Sequence, residues 1–330
     1  MDLRNVTKNQ HFLPQVEQRL NAINPKAKSE NQKIYSFSIK DRDAGIVSID
    51  SEKGVRISKN LSLHDLFSFD VLGKEASKYN FEKLFHSYEV MIKSNTESLL
   101  SKIESTKADI KIEVLNIFRS KILNFIRNPY SIKRILNTFS SMKDLFPIDP
   151  VHHENFERVL NGNKPQQKHL CKQLDITENE YQEWLATIFL LLTPMKEEQL
   201  NFLDQFIKRI YENPNSLIKV CIYTYDDETC LISDRGFSFY ELENNTTVWD
   251  FNLYSHGFIR YIFVNIEASV PQNTPKELLD MLKSTSNKVN WMTESNDLVA
   301  LEIYNQRTVE LCHEHVFGAS KEYEGVTVFL

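Results

Sequence analysis

A serine and an aspartate stand side by side where an apolar run of the sequence ends. Ser233 and Asp234 precede Arg235-Gly236, and loops at strand ends often carry catalytic groups on a rigid scaffold. His11 stands close to a proline near the start of the chain, and an imidazole can act as a general base or as a metal ligand. These three residues are the candidate catalytic set, and a hydrolase or nuclease is the reaction class that they indicate.

The same residues also have a structural interpretation. A serine nucleophile is normally activated in a Gly-x-Ser-x-Gly turn, and here only Gly236 follows Ser233. The side chains of Ser233 and Asp234 can instead accept hydrogen bonds from backbone N–H groups of a turn. For His11, the later Asn and His of His-Asn-His nucleases are missing at matching spacing. The sequence therefore favours a hydrogen-bonded histidine at a junction between lobes, and a structural Ser-Asp pair.

Metal-ligating residue types occur together at two further places. In the run Cys312–His315, only Cys312 and His315 would share a helix face, and the spacing His-Glu-His differs from the zinc-protease pattern His-Glu-x-x-His. The acidic run Asp226–Glu228 is typical of a solubilising hairpin tip. We predict no metal site from these patterns, and the sequence indicates no particular cofactor.

The stretch from residue 102 to residue 134 is locally basic. Its helices would carry cations that could meet phosphate groups, with aromatic residues between them for base stacking. Those aromatic residues, however, have the spacing of a helix core, so a solvated basic face is the alternative. The candidate nucleic-acid-binding residues are Lys111, Arg119, Lys121, Arg127, Lys133 and Arg134.

Composition restricts the class of protein. The 330 residues carry a formal net charge of −6, which argues against a globally basic nucleic-acid-binding or membrane-surface protein. The four cysteines lack a Cys-x-x-Cys spacing and indicate reduced, mostly buried thiols. Neither a signal peptide nor an apolar run of membrane-spanning length is recognisable. We expect a cytoplasmic protein without a membrane partner, whose oligomeric state the sequence does not indicate.

Hydrophobic patterning predicts an α+β fold, with a central helical block, a mainly antiparallel C-terminal sheet and a small N-terminal hairpin. The predicted domain segments are 1–60 with the hairpin, 61–215 for the helical block, and 216–330 for the sheet with a closing helix, together one or two compact domains. The hairpin is expected at 33–40 and 45–50. Apolar runs on both sides of Asp226–Glu228 predict a second hairpin, which would deliver Ser233 and Asp234 to a strand end.

Helix periodicity predicts several long helices in the central block. One would run from near Glu75 to Ile103 and the next from about Ala108 to Arg127. A capping-box spacing at Thr177 and Glu180 predicts the start of another. The closing helix is expected from about Leu298 to Val316.

Short motifs along nearly the whole chain occur in the order found in one known family. They are NQHFLPQ at 9–15, FEKLFHSYE at 81–89, the helix stop at Arg127-Asn128-Pro129, CLISDRGF at 230–237, and the last helix with Asn305 and Phe317. On these motifs the chain resembles the bacterial domain-of-unknown-function family numbered 4238. That family has Asn-Pro where this chain has Arg235-Gly236, so a site built on this loop would be altered or lost.

The family has no established activity, so the resemblance implies a bacterial source and no particular reaction. The leading hypothesis is an interaction or effector protein that binds nucleic acid or a protein partner, in a phage-defence or mobile-element context by analogy. The alternative is a hydrolase or nuclease that uses His11, Ser233 and Asp234, with or without a divalent metal. A structural subunit is a third hypothesis, and it predicts an exposed apolar patch formed by Phe237, Phe239, Tyr240, Trp249 and Phe251.

Overall fold

The structure, a computed structural model, describes residues 2–73, 78–104, 109–196, 199–242, 246–271, 273–286 and 290–329. Helices and mostly antiparallel sheets make up an α+β fold, as the sequence predicted. The helices are α1 Gln15–Leu20, α2 Glu82–Ile103, α3 Lys111–Arg127, α4 Ile132–Thr138, α5 Pro150–Asn161, α6 Gln167–Leu174, α7 Glu178–Leu192, α8 Phe202–Glu212, α9 Ile266–Ser269, α10 Lys276–Ser286 and α11 Leu298–Leu311. Short 3-10 turns occupy Ser29–Asn31, Ile57–Lys59, Pro129–Ser131 and Ser140–Met142.

Local signals in the sequence set several helix ends. The Glu180 N–H donates to Thr177 Oγ1 at 3.1 Å, and the Thr177 N–H donates to Glu180 Oε2 at 2.7 Å, which confirms the predicted capping box of α7. At the start of α2, Asn80 Oδ1 accepts a hydrogen bond from the Glu82 N–H. The helix was predicted to start near Glu75, but it starts at Glu82, because residues 78–80 form a strand. Glu75 itself lies within 74–77, which are outside the described residues.

The strands pair into two larger sheets and two small ribbons. They are β1 Asn9–His11, β2 Lys33–Asp41, β3 Ile46–Ile49, β4 Val55–Arg56, β5 Ser62–His64, β6 Ser68–Val71, β7 Lys78–Asn80, β8 Ser216–Thr224, β9 Ile232–Ser233, β10 Ser238–Leu242, β11 Thr246–Tyr254, β12 Gly257–Asn265, β13 Asn290–Ser295, β14 His315–Gly318 and β15 Thr327–Phe329. The ribbons are β1 with β5 and β6 with β7.

One sheet, called the long sheet here, has the strand order β10-β11-β12-β8-β13. Its pairs are antiparallel except β8 with β13, so the predicted mainly antiparallel C-terminal sheet is confirmed. Sequence patterning missed β13, because its second half, Thr293–Ser295, is exposed and polar and shows no alternation of apolar and polar residues.

The other sheet, called the hairpin sheet, has the order β15-β3-β2-β14-β9, and β4 also pairs with β2. Its β2–β3 pair is the predicted N-terminal hairpin. The predicted hairpin between β8 and β9 is wrong, because β12 and β13 already occupy the two edges of β8. Strand β9 instead pairs with β14, so Ser233 lies opposite Val316.

The closing helix α11 is shorter than predicted. It ends at Leu311 rather than near Val316, and Cys312 is its C-cap. The chain then becomes extended, because β14 pairs with β2 over His315–Gly318. The Cys312–His315 run is therefore not helical, and the predicted shared helix face of Cys312 and His315 does not exist.

Backbone contacts divide the chain into two compact units, each built from separate stretches. The division falls inside α2, α3 and α8, and the predicted grouping of segments 1–60, 61–215 and 216–330 into one or two compact domains stays a prediction. Unit 1 comprises Met1–Pro14, Leu61–Ser94 and Asn116–Phe206, and unit 2 comprises Gln15–Asn60, Asn95–Leu115 and Ile207–Leu330.

Each unit has a core of its own. In unit 1 the Trp184 indole N–H donates to the Ile126 carbonyl at 2.8 Å, and the Tyr181 hydroxyl donates to the Leu66 carbonyl at 2.7 Å. Both side chains are fully buried, and these bonds satisfy their polar atoms. In unit 2, α11 separates two buried clusters, one on the long sheet around Tyr304 and one on the hairpin sheet around Val309.

Candidate functional site

Asp234 is buried at the end of β9 and is bound on both carboxylate oxygens. Its Oδ1 accepts a hydrogen bond from the His313 N–H at 2.7 Å. Its Oδ2 accepts bonds from the N–H groups of Glu314 at 2.7 Å and His315 at 3.0 Å. A carboxylate held in this way orders a turn, and its lone pairs are not directed at a substrate.

Ser233 has the matching structural geometry. Its Oγ accepts a hydrogen bond from the Gly236 N–H at 3.1 Å, and the residue is buried. Gly236 has a φ of +76°, a left-handed conformation that favours glycine, so the Arg235-Gly236 sequence fits this turn. The geometry around this pair agrees with the structural interpretation drawn from the sequence.

Arg42, at the tip of the β2–β3 hairpin, binds the same turn from the carbonyl side. Its Nη1 donates to the carbonyls of Val309, Glu310 and Cys312 at 3.1, 2.9 and 2.8 Å. Its Nη2 donates to the His313 carbonyl at 2.8 Å. The guanidinium thus caps the C-terminus of α11, where helix carbonyls lack partners within the helix. Burial raises the pKa of the Cys312 thiol to about 12, so this cysteine stays protonated.

His11 lies in unit 1, whereas Ser233 and Asp234 lie in unit 2. It is half-buried at the end of β1, where the strand register places it opposite Ser62 of β5. Ser233 and Asp234 are neighbours whose side chains are bound by backbone N–H groups of the same region.

Half of the predicted nucleic-acid-binding residues are engaged inside unit 1. Lys121 and Arg127 are buried, and Arg127 Nη1 donates to Glu89 Oε1 at 2.5 Å. Arg119 is half-buried, with its Nε 2.9 Å from Asp204 Oδ1 but not aligned as a hydrogen bond. The exposed members of the set are Lys111, Lys133 and Arg134. Of the six candidates, only these three present their charges to solvent, and their role in nucleic-acid binding stays a prediction.

The aromatic residues that were candidates for an exposed patch pack on one another. Phe237 and Phe251 are buried, and Phe239, Tyr240 and Trp249 are half-buried. The ring centroids of Phe239 and Trp249 are 4.7 Å apart. The patch predicted for a structural subunit is therefore not an exposed apolar surface.

A serine, an aspartate and a histidine meet on the hairpin sheet, a grouping that the sequence analysis did not predict. Ser38 Oγ donates to Asp50 Oδ1 and lies 3.4 Å from His315 Nε2. The same Nε2 is 3.8 Å from Asp50 Oδ2. Because one imidazole nitrogen faces both partners, the hydroxyl proton goes to the carboxylate and no Ser-His-Asp relay forms. The register of β2 with β14 places Ser38 opposite His315, and a hydrogen bond from the Asp50 N–H to the Ser36 carbonyl holds the aspartate just after β3. The sequence pattern could not reveal this grouping.

A cleft of about 920 Å³ lies beside α7 in unit 1. Helices α4 and α5, which both pack on α7, form its walls together with the Ser140–Met142 turn. Its floor is apolar and consists mainly of Leu136, Phe139, Met142, Phe156, Leu160, Ala186 and Leu190. Volume and lining are those of a ligand-binding or peptide-binding groove.

Caps and turns fix the walls of this cleft. Asp149 Oδ1 accepts the His152 N–H at 2.9 Å and so caps α5, which begins at Pro150. The preceding loop is held by the Ile148 N–H, which donates to the Met195 carbonyl at 3.3 Å. The cleft is therefore bounded by anchored backbone.

Apolar side chains at the mouth of the cleft face water. Phe146, a lining residue, is 59% exposed, and its ring stands edge-on to that of His153 with 6.3 Å between centroids. The next residues of the loop continue this character, since Ile148 and Val151 are also exposed. Clustered exposed apolar side chains beside a groove are typical of an interaction site.

Neither a metal-binding cluster nor a membrane-spanning helix is found in the parts of the chain that the structure describes. No group of three or more His, Cys, Asp or Glu side chains there could hold a metal ion. Likewise, no helix in those ranges has the length and apolar character needed to cross a membrane. All four cysteines are described, and each carries a free, buried thiol, as predicted.

Comparison with known proteins gives no relative from which a site could be transferred. A scan against protein-family models found no match, and searches of curated proteins and of solved structures found nothing significantly similar. The resemblance to the bacterial family therefore stays a prediction from short motifs.

Proposed function

We propose that this chain is a binding protein that accepts an amphipathic helix of a protein partner in the cleft of unit 1. The observation that carries the proposal is the exposed ring of Phe146 at the mouth of an apolar groove of about 920 Å³. Covering exposed apolar surface is favourable by about 25 cal/mol per Å². A partner that covers this mouth would gain that contribution.

A helical occupant fits the construction of the groove. Its lining comes from helices and their connections, and so offers apolar side chains rather than the backbone groups of an open strand edge. Grooves of this kind bind helices through apolar anchors at positions i, i+3, i+4 and i+7, which span about 10 Å along a helix axis. The apolar side chains of the cleft floor, among them Phe139 and Leu190, would contact those anchors.

The other functions weighed from the sequence have less support. Nucleic-acid binding would use the predicted cations, but Lys121 and Arg127 are buried and Arg119 is paired with Asp204. Hydrolysis by Ser233 and Asp234 would need groups that backbone N–H donors already occupy. A cytoplasmic location and a bacterial phage-defence context stay predictions.

A display selection tests the proposal although the natural partner is unidentified. A library of amphipathic helical peptides would be panned against the protein, and selected peptides measured by fluorescence anisotropy. Ala186→Trp fills the cleft floor from α7, and Phe146→Asp removes the exposed apolar ring. We expect each substitution to weaken binding of the selected peptides at least about tenfold, since anchor contacts dominate such interfaces.

Val90→Asp is the matched control, because Val90 is 52% exposed in unit 1 and does not line the cleft. Its affinity for the selected peptides should equal that of the unmodified protein. If selection yields no peptide that distinguishes the Ala186→Trp variant from the unmodified protein, the proposed function is wrong.

A further inference from the structure

Charged side chains around the unit 1 cleft are mostly acidic. The lining contains four carboxylates against two lysines, a formal net charge of −2. The carboxylates are those of Asp144, Glu157, Glu180 and Glu183, and the lysines are Lys133 and Lys143. An apolar floor is therefore surrounded by a predominantly negative rim.

Both lysines of the rim already have acidic neighbours. Lys143 Nζ is 2.9 Å from Glu183 Oε1. Hydrogen bonds from Thr177 lower the pKa of the Glu180 carboxyl, and the charge of Lys133 lowers it further. Glu157 is exposed, and its one hydrogen bond among the described residues comes from the neutral Asn161 amide at 2.8 Å. The cations thus offset carboxylates of the protein itself, and the remaining field is negative.

We propose that the segment accepted by this cleft is a cationic amphipathic helix, with Lys or Arg residues flanking its apolar anchors. This inference rests on the proposed function and specifies the partner of the same site. Complementary charge raises the association rate and suppresses wrong partners. In addition, the aliphatic stems of Lys and Arg would cover the exposed apolar rim near Phe146 while their charges reach the carboxylates.

The same rim argues against ligands that carry phosphate. A nucleic-acid backbone or an anionic membrane surface would bring negative charge against Asp144 and Glu157, and like charges at close range are unfavourable. A cationic amphipathic peptide, in contrast, meets both the apolar floor and the acidic rim.

Three synthetic peptides of about 16 residues would test the charge preference, at a length where helices begin to be stable in water. They would share their apolar anchors and differ only at the flanking positions, which carry Lys, Gln or Glu. We expect the Lys peptide to bind at least about tenfold more tightly than the Glu peptide, with the Gln peptide between them. The difference should shrink as ionic strength rises, because salt screens exposed charges.

Charge reversal on the protein provides the reciprocal measurement. The double variant Asp144→Lys with Glu157→Lys should remove the preference for the Lys peptide or invert it. Both side chains are exposed, so the fold should tolerate these changes. Glu30→Lys, at an exposed position outside the cleft, is the control and should leave the preference unchanged.

The outcomes separate the two proposals. If all three peptides bind equally and Ala186→Trp abolishes binding, the cleft is a binding site and the charge inference is wrong. If the Glu peptide binds best, the inference is likewise overturned. If none of the peptides binds, both the proposed function and the cationic partner are rejected.

Discussion

In unit 2 a buried carboxylate, Asp234, accepts three backbone hydrogen bonds, whereas in unit 1 an apolar ring, Phe146, is left 59% exposed at the mouth of a cleft. In the first region, Ser233 and Asp234 look catalytic in the sequence, but the side chains of both accept hydrogen bonds from backbone N–H groups. In the second region, Phe146 looks ordinary in the sequence, but most of its ring is exposed to solvent. Residue type alone is thus a poor guide to function here, because burial and partners decide what a side chain can do.

Two carboxylates extend this comparison. Asp234 is buried among N–H donors, while the half-buried carboxyl of Glu82 in unit 1 has no equivalent donors among the described residues, and desolvation raises its pKa to about 7. The charge of Arg127 opposes this rise and that of Glu89 adds to it. Nearby, the Nε and Nη2 of the buried Arg127 have no hydrogen-bond partner among the described residues. Unit 1 therefore contains polar groups whose environments are energetically unfavourable.

The largest effect is expected for the Asp234 turn. Asp234→Ala leaves three N–H groups without their acceptor, and should lower the free energy of unfolding by about 3–5 kcal/mol. Chemical denaturation gives this value. Asp227→Ala, at an exposed position in the preceding loop, should change it by less than about 0.5 kcal/mol. Equal effects of the two substitutions would contradict a structural role for Asp234.

Next in size is the pH dependence due to Glu82. Its pKa is about 7 in the folded protein and 4.5 as the ordinary value, so the folded state binds more protons between these pH values. Glu82 therefore contributes stability at low pH that is lost as pH rises from 4.5 to about 7, a change of about 3 kcal/mol. Glu82→Gln should remove this component from a denaturation series across that range.

Glu30→Gln serves as the control for that series, because Glu30 is exposed. Its pH profile should match that of the unmodified protein. A Glu82→Gln profile with the original slope would show that the desolvated carboxyl lies elsewhere.

A smaller effect is expected for the guanidinium that caps α11. Arg42→Lys keeps the charge, but a lysine ammonium cannot reproduce the hydrogen bonds that the planar guanidinium donates to four carbonyls. We expect a loss of about 1–2 kcal/mol in the free energy of unfolding. Arg56→Lys, at an exposed arginine, should be neutral, and a neutral Arg42→Lys would mean that the cap contributes little.

The smallest effect on stability should occur at the cleft. Phe146→Ser is expected to change the free energy of unfolding by less than about 0.5 kcal/mol, because the ring is exposed. Phe189→Ala, a change to a fully buried phenylalanine in the same unit, should cost about 3–5 kcal/mol. A large loss for Phe146→Ser would show that this side chain belongs to the core and not to a binding surface.

Sequence reasoning succeeded where the determining contacts are local. The capping box of α7 joins Thr177 to a residue three positions away, and the β2–β3 hairpin joins neighbouring runs of alternating residues. It failed where the partner is distant in sequence. Ser233 pairs in register with Val316, and no property of the short strand β9 specifies that choice over β8.

The cleft of unit 1 could not be predicted from the sequence pattern for a related reason. A cleft is a space between helices, and its floor residues have the same i, i+3, i+4 spacing as any buried helix face. Likewise, the burial of Arg127 depends on Glu89 of another helix, so the basic stretch gave no sign that some of its cations lie inside. The Ser38, Asp50 and His315 cluster depends on register between strands far apart in the chain.

Pairing between β2 and β14 also has a consequence during synthesis. Ser38 and its opposite residue His315 are separated by 277 positions. At about 5–20 residues per second, a ribosome needs roughly 15–55 seconds to cover that distance. Throughout this interval β2 of the nascent chain has one open edge, which is a site for mispairing with other chains. The hairpin sheet is therefore completed late in translation, and slow elongation or chaperone binding at this edge would govern the yield of folded protein.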